Sequence, residues 1–436
     1  MPPNILFVHV DQLHHKALSA YGNPFVHTPC MDAIVAEGFS FMESTTPMPQ
    51  CCPARASWFT GRMSKEHGVI VNEFPLNPDL PDLGQWLRDK GGYDCIHIGK
   101  WHIPNRDVRQ GFTVPHPGHG HGELADADVA RAAAAVLRNR DTDKPFFMSV
   151  GLLNPHDCCY FAGAEGGIGK FGLAHEMLDR LPPLPANFAT DTPIRSHRVG
   201  NWSEEDWRYY IYTYYRLTEM VDREVGRIHQ ALRASGFSDN TLFILTSDHG
   251  DGLGFHQHIQ KGYLYEEAWR VPAVVSWPGR VPAGKRDTHH LVSGIDIAAT
   301  VCDYAEVEPL PKMTIGRSWR PLLEGRHVDW RSHVIGETSV GPLALAVREA
   351  HYKTVFYTDH AELYDIRYDP LETKDVSGDP VHAATLARHR QHFAEYVRSI
   401  EVCSLSDWAQ GRLPAQGDLY TPCVEWYRAM AEGASA

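Results

Sequence analysis

The chain has 436 residues, 43% of them hydrophobic and 22% charged, ordinary globular values that exclude a disordered, collagen-like or coiled-coil protein. Its 54 acidic against 41 basic side chains give a formal charge of −13. That argues against a general nucleic-acid binder, so an anionic ligand needs a local cationic pocket.

In chain order, four short runs that are apolar on both faces read as buried parallel strands: residues 5–10, 95–98, 146–153 and 242–245. Amphipathic or alanine-rich stretches at 126–138 and 207–235 read as helices between them. The expected fold is α/β, a large, mostly parallel sheet sandwiched between helices. Pro- and Gly-containing segments at 309–316 and at Gly325 close this unit, which is placed at residues 1–330. Residues 334–337, 344–348, 352–357 and 363–366 then read as short strands, and 383–400 as a helix. They make a smaller C-terminal antiparallel sheet plus helix within 331–436, ending in an irregular tail from about residue 401 that could wrap a neighbour. No run approaches the roughly 20 apolar residues that span a bilayer. The first residues, MPPNILFVHVD, carry no signal-peptide pattern, and the expectation is a cytoplasmic protein. Nine cysteines, odd in number and without a CxxC spacing, predict neither a disulfide scaffold nor a structural zinc site.

The residues just beyond each strand carry the chemistry. The first strand ends in Asp11 and Gln12, the second in Lys100, Trp101 and His102, the third in Asn154, Pro155 and His156, and the fourth in Asp248 and His249. Open α/β sheets bind ligands beyond the carboxyl ends of their strands, so these residues are expected to share one polar site. Cys51 precedes Pro53, which suits a first helical turn, and Gly61 suits the end of that helix. Cys51 is therefore predicted at a helix N-terminus, where an anion is favoured, with Arg55 one turn further along. A nucleophile there, with an arginine beside it, fits attack on a sulfuryl or phosphoryl centre. Residues 116–121, HPGHGH, with Glu123 after them, could suggest a second metal site; a mobile loop at the mouth of the site is the reading preferred.

The string from Cys51 to Arg62 resembles the signature of the type I, formylglycine-dependent sulfatases of the alkaline-phosphatase superfamily, whose Cys-x-Pro-x-Arg core directs oxidation of the cysteine to formylglycine. Cys51 is the matching cysteine, Cys52 fills the variable slot, and Ala54 stands where many members have Ser. Thr28, Pro29 and Asp32 resemble the TPNxD-type segment, Gly92 to His102 the GY…GKWH block, and Asn154 to His156 the (N/A)PH turn. Ser247 to Pro272 resembles the SDHGD…K…YEE..RVP block, and Leu363 to Pro370 the LYDL..DP turn of the C-terminal unit.

The resemblance implies a sulfuric ester hydrolase acting on a sulfate ester, in first place one on a carbohydrate, through a formylglycine hydrate. It implies one divalent metal held by Asp11, Gln12, Asp248, His249 and an oxygen of residue 51. Oxygen donors favour Ca²⁺ or Mg²⁺. Gln12 and His249 depart from the family's usual residues at these places, and an imidazole is friendlier to Mn²⁺ or Zn²⁺. Ca²⁺ is the expected ion, with Mn²⁺ or Mg²⁺ as alternatives. Lys100 and Lys261 would bind the anionic oxygens, Arg55 would hold the nucleophile's geometry, His102 would take a proton from the hydrate, and His156 would protonate the leaving oxygen. The implied partners are a small-molecule or saccharide sulfate ester and a formylglycine-generating maturation enzyme, with no nucleic acid and no membrane; the oligomeric state is left open. The same machinery could serve a phosphonate monoester hydrolase or phosphodiesterase, some of which share the Asp-Gln first pair. A non-catalytic carbohydrate-binding relative would lack an essential residue, and none is lacking here.

Overall fold

The computed structural model describes residues 2–141, 143–163, 175–189, 199, 202–313, 315–402 and 420–432. Its strands are β1 (Asn4–Val10), β2 (Phe39–Phe41), β3 (Ser44–Thr45), β4 (Asp94–Gly99), β5 (Thr113–His116), β6 (Phe146–Leu152), β7 (Thr241–Ser247), β8 (Ala273–Ser276), β9 (Lys285–Asp287), β10 (Val292–Ser293), β11 (His333–Thr338), β12 (Ala344–Glu349), β13 (Tyr352–Tyr357) and β14 (Ala361–Asp365). The large sheet has the order β5-β4-β6-β1-β7-β8-β2-β9. From β5 to β7 every pairing is parallel. β8 then runs antiparallel to both β7 and β2, so the sheet is mixed.

β1 sits between β6 and β7, with Ile5 opposite both Phe147 and Leu242. All seven of its residues are buried, as a strand covered on both faces requires. Leu6, Val8 and Val10 join the core on one face, with Val129 and Ala133 from the helix Gly122–Asn139 and Val221 and Val225 from the helix Glu204–Ala234. Ile5 and Phe7 join the other core, with Trp58 and Phe59 from the helix Cys51–Thr60 and Ile297 and Val301 from the helix Asp296–Tyr304. Ser203 caps the long helix by accepting from the Asp206 N–H, a contribution of about 1 kcal/mol. The four strands expected from their apolar runs are thus the centre of the sheet. β2, β5, β8 and β9 are only three or four residues long, too short to show a period in sequence.

The second sheet is antiparallel, in the order β11-β12-β13-β14. Its residues alternate between two cores. Leu345, Val347 and Phe356 face the helix Ala383–Ser399 through Phe393 and Tyr396, whereas Ala344, Ala346 and Val355 face Leu264, Trp269 and Leu291 of the large unit. One expectation is corrected here. The tail is not irregular throughout, because Tyr420–Ala431 is a helix. Trp426, Tyr427 and Met430 recur at helical spacing and pack in one core with Phe393, and that buried apolar stripe is what holds the helix in place. Residues 403–419 of the tail lie outside the described residues.

Candidate active site

The carboxyl ends of β1, β4, β6 and β7 deliver their residues to one edge of the sheet. β1 continues into Asp11, whose N–H still donates to the Leu152 carbonyl, 3.0 Å away. Gln12 then turns off the strand with a positive φ of 66°. β4 ends at Gly99, φ 93°, where an added Cβ would stand 2.1 Å from the Gly151 carbonyl oxygen; only glycine fits there. The next residue, Lys100, points its ammonium at Asp11 Oδ2, 2.5 Å away. β6 leads through a cis Asn154–Pro155 bond to the half-buried His156. β7 ends before Asp248 and His249.

The helix Cys51–Thr60 runs up to this edge with Cys51 as its first residue. Every residue of the helix is buried. Arg55, one turn in, is the keystone: its Nε donates to Asp248 Oδ2 at 2.9 Å, Nη2 to Asp11 Oδ2 at 3.0 Å, and Nη1 to the Lys100 carbonyl at 2.9 Å. One planar fork therefore fixes the ends of three strands. Behind it, Arg55 Nη1 lies 3.2 Å from His9 Nδ1, and Ser149 Oγ bridges His9 and His97 at 3.0 and 3.1 Å.

Cys51 Sγ lies 3.1 Å from His249 Nε2 and 3.8 Å from Asp11 Oδ1. His249 Nδ1 is held 2.8 Å from the Gly250 carbonyl, so Nε2 is the nitrogen turned toward the sulfur. Asp11, Cys51, Asp248 and His249 place one ligand atom each within 4.8 Å of one another, all buried. Two carboxylates, an imidazole and residue 51 are a donor set that suits a divalent cation. The electrostatics agree. Burial and the neighbouring Asp11 push the Asp248 carboxyl above its ordinary range, an excess of negative charge that a cation would relieve. Burial and Cys51 also oppose ionisation of Asp11, but Lys100, His156 and Arg55 outweigh them and hold it well below the usual carboxylate range. Burial disfavours the Cys51 thiolate, yet Lys261, Lys100, His249 and a hydrogen bond from His102 together bring the thiol well below its ordinary value. Lys100 and Lys261 are both raised against burial, Lys100 chiefly by Asp11 and Lys261 chiefly by Cys51. Both stay charged.

The structure thus brings together Asp11, Cys51, Arg55, Lys100, His102, Asp248, His249 and Lys261, with His156 beside Asp11. Gln12 is placed differently from the rest. Its Nε2 donates to Asp251 Oδ2 at 2.6 Å and lies 3.3 Å from the sulfurs of Cys158 and Cys159, and its Oε1 accepts from Lys261 Nζ at 2.5 Å. Its backbone N–H donates to Asp248 Oδ1 at 3.0 Å. Sequence reasoning gives no role to Asp251, which burial pushes up to about 6, nor to His9 and His97. The available signal was a histidine inside each of two apolar strands. None of residues 116–123 belongs to a three-donor cluster among the described residues; instead His116 Nδ1 accepts from the Gly118 N–H and His121 packs edge-on to Tyr160.

His156, Cys159 and Lys261 open onto a cavity of about 400 Å³, also lined by Asn72, His258, Tyr263 and Val340. That volume is in the range of small-molecule sites. All eight described cysteines are free thiols. No helix among the described residues is long and apolar enough to cross a membrane.

The α/β fold, the buried donor cluster and the two lysines define a hydrolase of the sulfatase class. The sulfatase family profile matches residues 3–307, and the chain belongs to that family. The profile described as N-sulphoglucosamine sulphohydrolase, C-terminal, matches residues 254–399. Among relatives, the chain is 29% identical to a Δ4,5-hexuronate-2-O-sulfatase of Bacteroides thetaiotaomicron, over 91% of this chain and 89% of that one. A solved 2-O GAG sulfatase superposes with a TM-score of 0.83 at 27% identity, covering 94% of this chain and 96% of that one. The phosphonate monoester hydrolase of Agrobacterium radiobacter shares the fold, with a TM-score of 0.75 at 24% identity over 91% and 96% of the two chains.

Proposed function

We propose that the protein hydrolyses a sulfate ester on a saccharide, with residue 51, oxidised to formylglycine, as the nucleophile. The observation that supports this most is the placing of Cys51 at a buried helix start, flanked by two lysines that stay charged and by a cluster of metal donors. Asp11, Asp248, His249 and residue 51 would hold one divalent cation, with Gln12 bracing Lys261 and Asp251 beside them. When bound, that cation supplies Lewis acidity toward the nucleophile and an anionic substrate oxygen. Ca²⁺ is the ion we assign, and His249 makes Mn²⁺ its competitor.

The residues of the chain do the rest. Lys100 and Lys261 offer two charged donors to the non-bridging oxygens of the group transferred, where charge is held in a water-poor site. Arg55 keeps Asp11, Asp248 and the helix start in fixed relation. His102, in contact with residue 51, takes the proton from it. His156 stands at the cavity and gives a proton to the departing alcohol oxygen. The sugar occupies the cavity beyond Lys261, and the carbohydrate sulfatases named among the relatives support that assignment.

The test is a panel of sulfate esters, phosphonate monoesters and phosphate diesters assayed on one batch of protein. The batch is first shown by intact mass to have lost about 18 Da at Cys51, the sulfhydryl-to-aldehyde change. Highest kcat/KM on a sulfated saccharide is expected. Preference for the phosphonate monoester would replace this reading with the alternative that the Asp11–Gln12 pair suggests.

A further inference from the structure

A second group of metal-binding side chains lies apart from Cys51. His256 comes from the turn Phe255–Gln257, Glu267 from the short helix Glu266–Trp269, and Glu372 from the turn after Pro370. One donor atom from each lies within 4.8 Å of the others. All three residues are buried, at 0%, 5% and 2% exposure. His256 Nε2 stands 3.9 Å from Glu267 Oε1. The ring is fixed by stacking on Tyr265, 4.0 Å between centroids, and by a hydrogen bond to the backbone of Leu371.

An unpartnered buried oxygen points to a cation. Glu267 Oε1 is fully buried, is aimed into the cluster, and accepts no hydrogen bond among the described residues. A buried carboxylate oxygen without a donor is costly. The neighbouring cations pair with other carboxylates. Arg270 and Arg348 pair with Glu43 and Glu266, and Lys353 pairs with Glu266 and Glu372. Lys16 and Lys353 act on Glu267 only from a distance, and among the described residues no lysine or arginine forms an ion pair with it.

We propose that His256, Glu267 and Glu372 form a second divalent-metal site, which clamps the loop bearing Lys261 onto the C-terminal unit. One imidazole nitrogen and two carboxylates select a first-row transition ion such as Mn²⁺ rather than Ca²⁺. Lys353 Nζ lies against one Glu372 oxygen and the Glu266 N–H donates to the other at 2.8 Å, so the ion takes its place as Lys353 shifts onto its two other acceptors, the Leu264 carbonyl at 2.7 Å and Glu266 at 3.4 Å. His256 and Glu267 stand on either side of Lys261 in the chain, so one ion would pin both ends of the segment that delivers that lysine to the active site.

The experiment is anomalous diffraction at the manganese edge from crystals of the full chain soaked in MnCl₂, beside equilibrium dialysis of Mn²⁺ in solution. A peak between His256 Nε2 and the two carboxylates is expected in the wild type. In Glu267→Gln that peak should vanish while dialysis loses one bound ion per chain. A wild-type map without a peak at this position overturns the proposal, whatever stands beside Cys51, and requires no variant to fold. A peak that persists undiminished in Glu267→Gln overturns the assigned ligand set. Loss of the ion should also lower the Mn²⁺-dependent rise in Tm, a readout separate from turnover.

Discussion

Cys51 and the residues around it set the first predictions. Cys51→Ala and Cys51→Ser should each abolish most turnover; serine has one oxygen and no geminal hydroxyl, so its ester has no easy exit. Rapid multiple turnover by Cys51→Ser on a sulfate ester would exclude the hydrate nucleophile. Lys100 and Lys261 approach the site from β4 and from the loop before Glu266, and each faces the thiol. Truncating either to alanine should cost about 2–4 kcal/mol of transition-state stabilisation, read as kcat/KM. An unchanged kcat/KM would show that the lysine does not meet the transferred group. Asp11→Asn and Asp248→Asn should lose metal and activity together, as measured by elemental analysis beside turnover. Gln12→Asp behaves otherwise. Its side chain, one methylene shorter, adds a carboxylate near Asp11 but withdraws from Asp251 and Lys261, now 2.6 and 2.5 Å from the Gln12 amide, so metal occupancy should hold and kcat, with Lys261 unbraced, should not rise.

The strand ends act as units, and Gly99 shows how little room they leave. Its φ of 93° and the carbonyl of Gly151 exclude a side chain. Gly118 packs on Gly99 as well, since a Cβ on Gly118 would lie 2.5 Å from the Gly99 Cα. Gly99→Ala should therefore cost about 2–4 kcal/mol of stability, from backbone strain and overpacking together. It should also displace Lys100 and lower kcat. Urea midpoints and kinetics on the same variant check both, and a loss of stability with full activity would show that Lys100 is positioned independently of the turn.

At the scale of the whole molecule, Glu337 on β11 ties the smaller sheet and its two C-terminal helices to the helix Ser64–His67 of the large unit. Buried completely, it accepts hydrogen bonds from Ser64, from Tyr396 at 2.5 Å and from Tyr427 at 2.6 Å, with Lys65 Nζ at 4.0 Å. Glu337→Leu strands these donors in the interior and should cost about 3–5 kcal/mol, measured by chemical denaturation. The protein should also be acid-sensitive. Burial holds His14, His67, His97 and His258 down at about 3, while the unfolded chain protonates its histidines near 6.5. Below that pH the unfolded state binds more protons, so stability falls as pH drops from about 6.5 toward 3. Asp126, raised by burial to about 7, and Asp251, raised to about 6, act in the opposite sense as pH rises from about 4. The histidines are more numerous and their gap is wider, so urea midpoints should decline from pH 7 to pH 5. A flat profile over that interval would show that these rings are not neutral in the fold.

The sequence by itself determined the central strands, because strands covered on both faces must be apolar throughout, and β1, β4, β6 and β7 are largely so. It determined the edge where chemistry gathers, because the residue after a buried strand has to leave the sheet, and Asp11, Lys100, His156 and Asp248 are what leaves. It also marked Cys51 at a helix start through Pro53 and Gly61. Only the tertiary structure decided which of these groups touch. Arg55 meets Asp11, Asp248 and the backbone of Lys100 because three strand ends converge on one helix, and no spacing along the chain encodes that. The same holds for Gln12, whose amide is captured by Asp251 and Lys261 from more than 230 residues away. It holds too for the cluster of His256, Glu267 and Glu372, whose members lie on three separate segments brought together when the second sheet packs against the large unit. Short-range patterns fix what each segment can be; contacts between distant segments are set by packing, and the site's charges are fixed there.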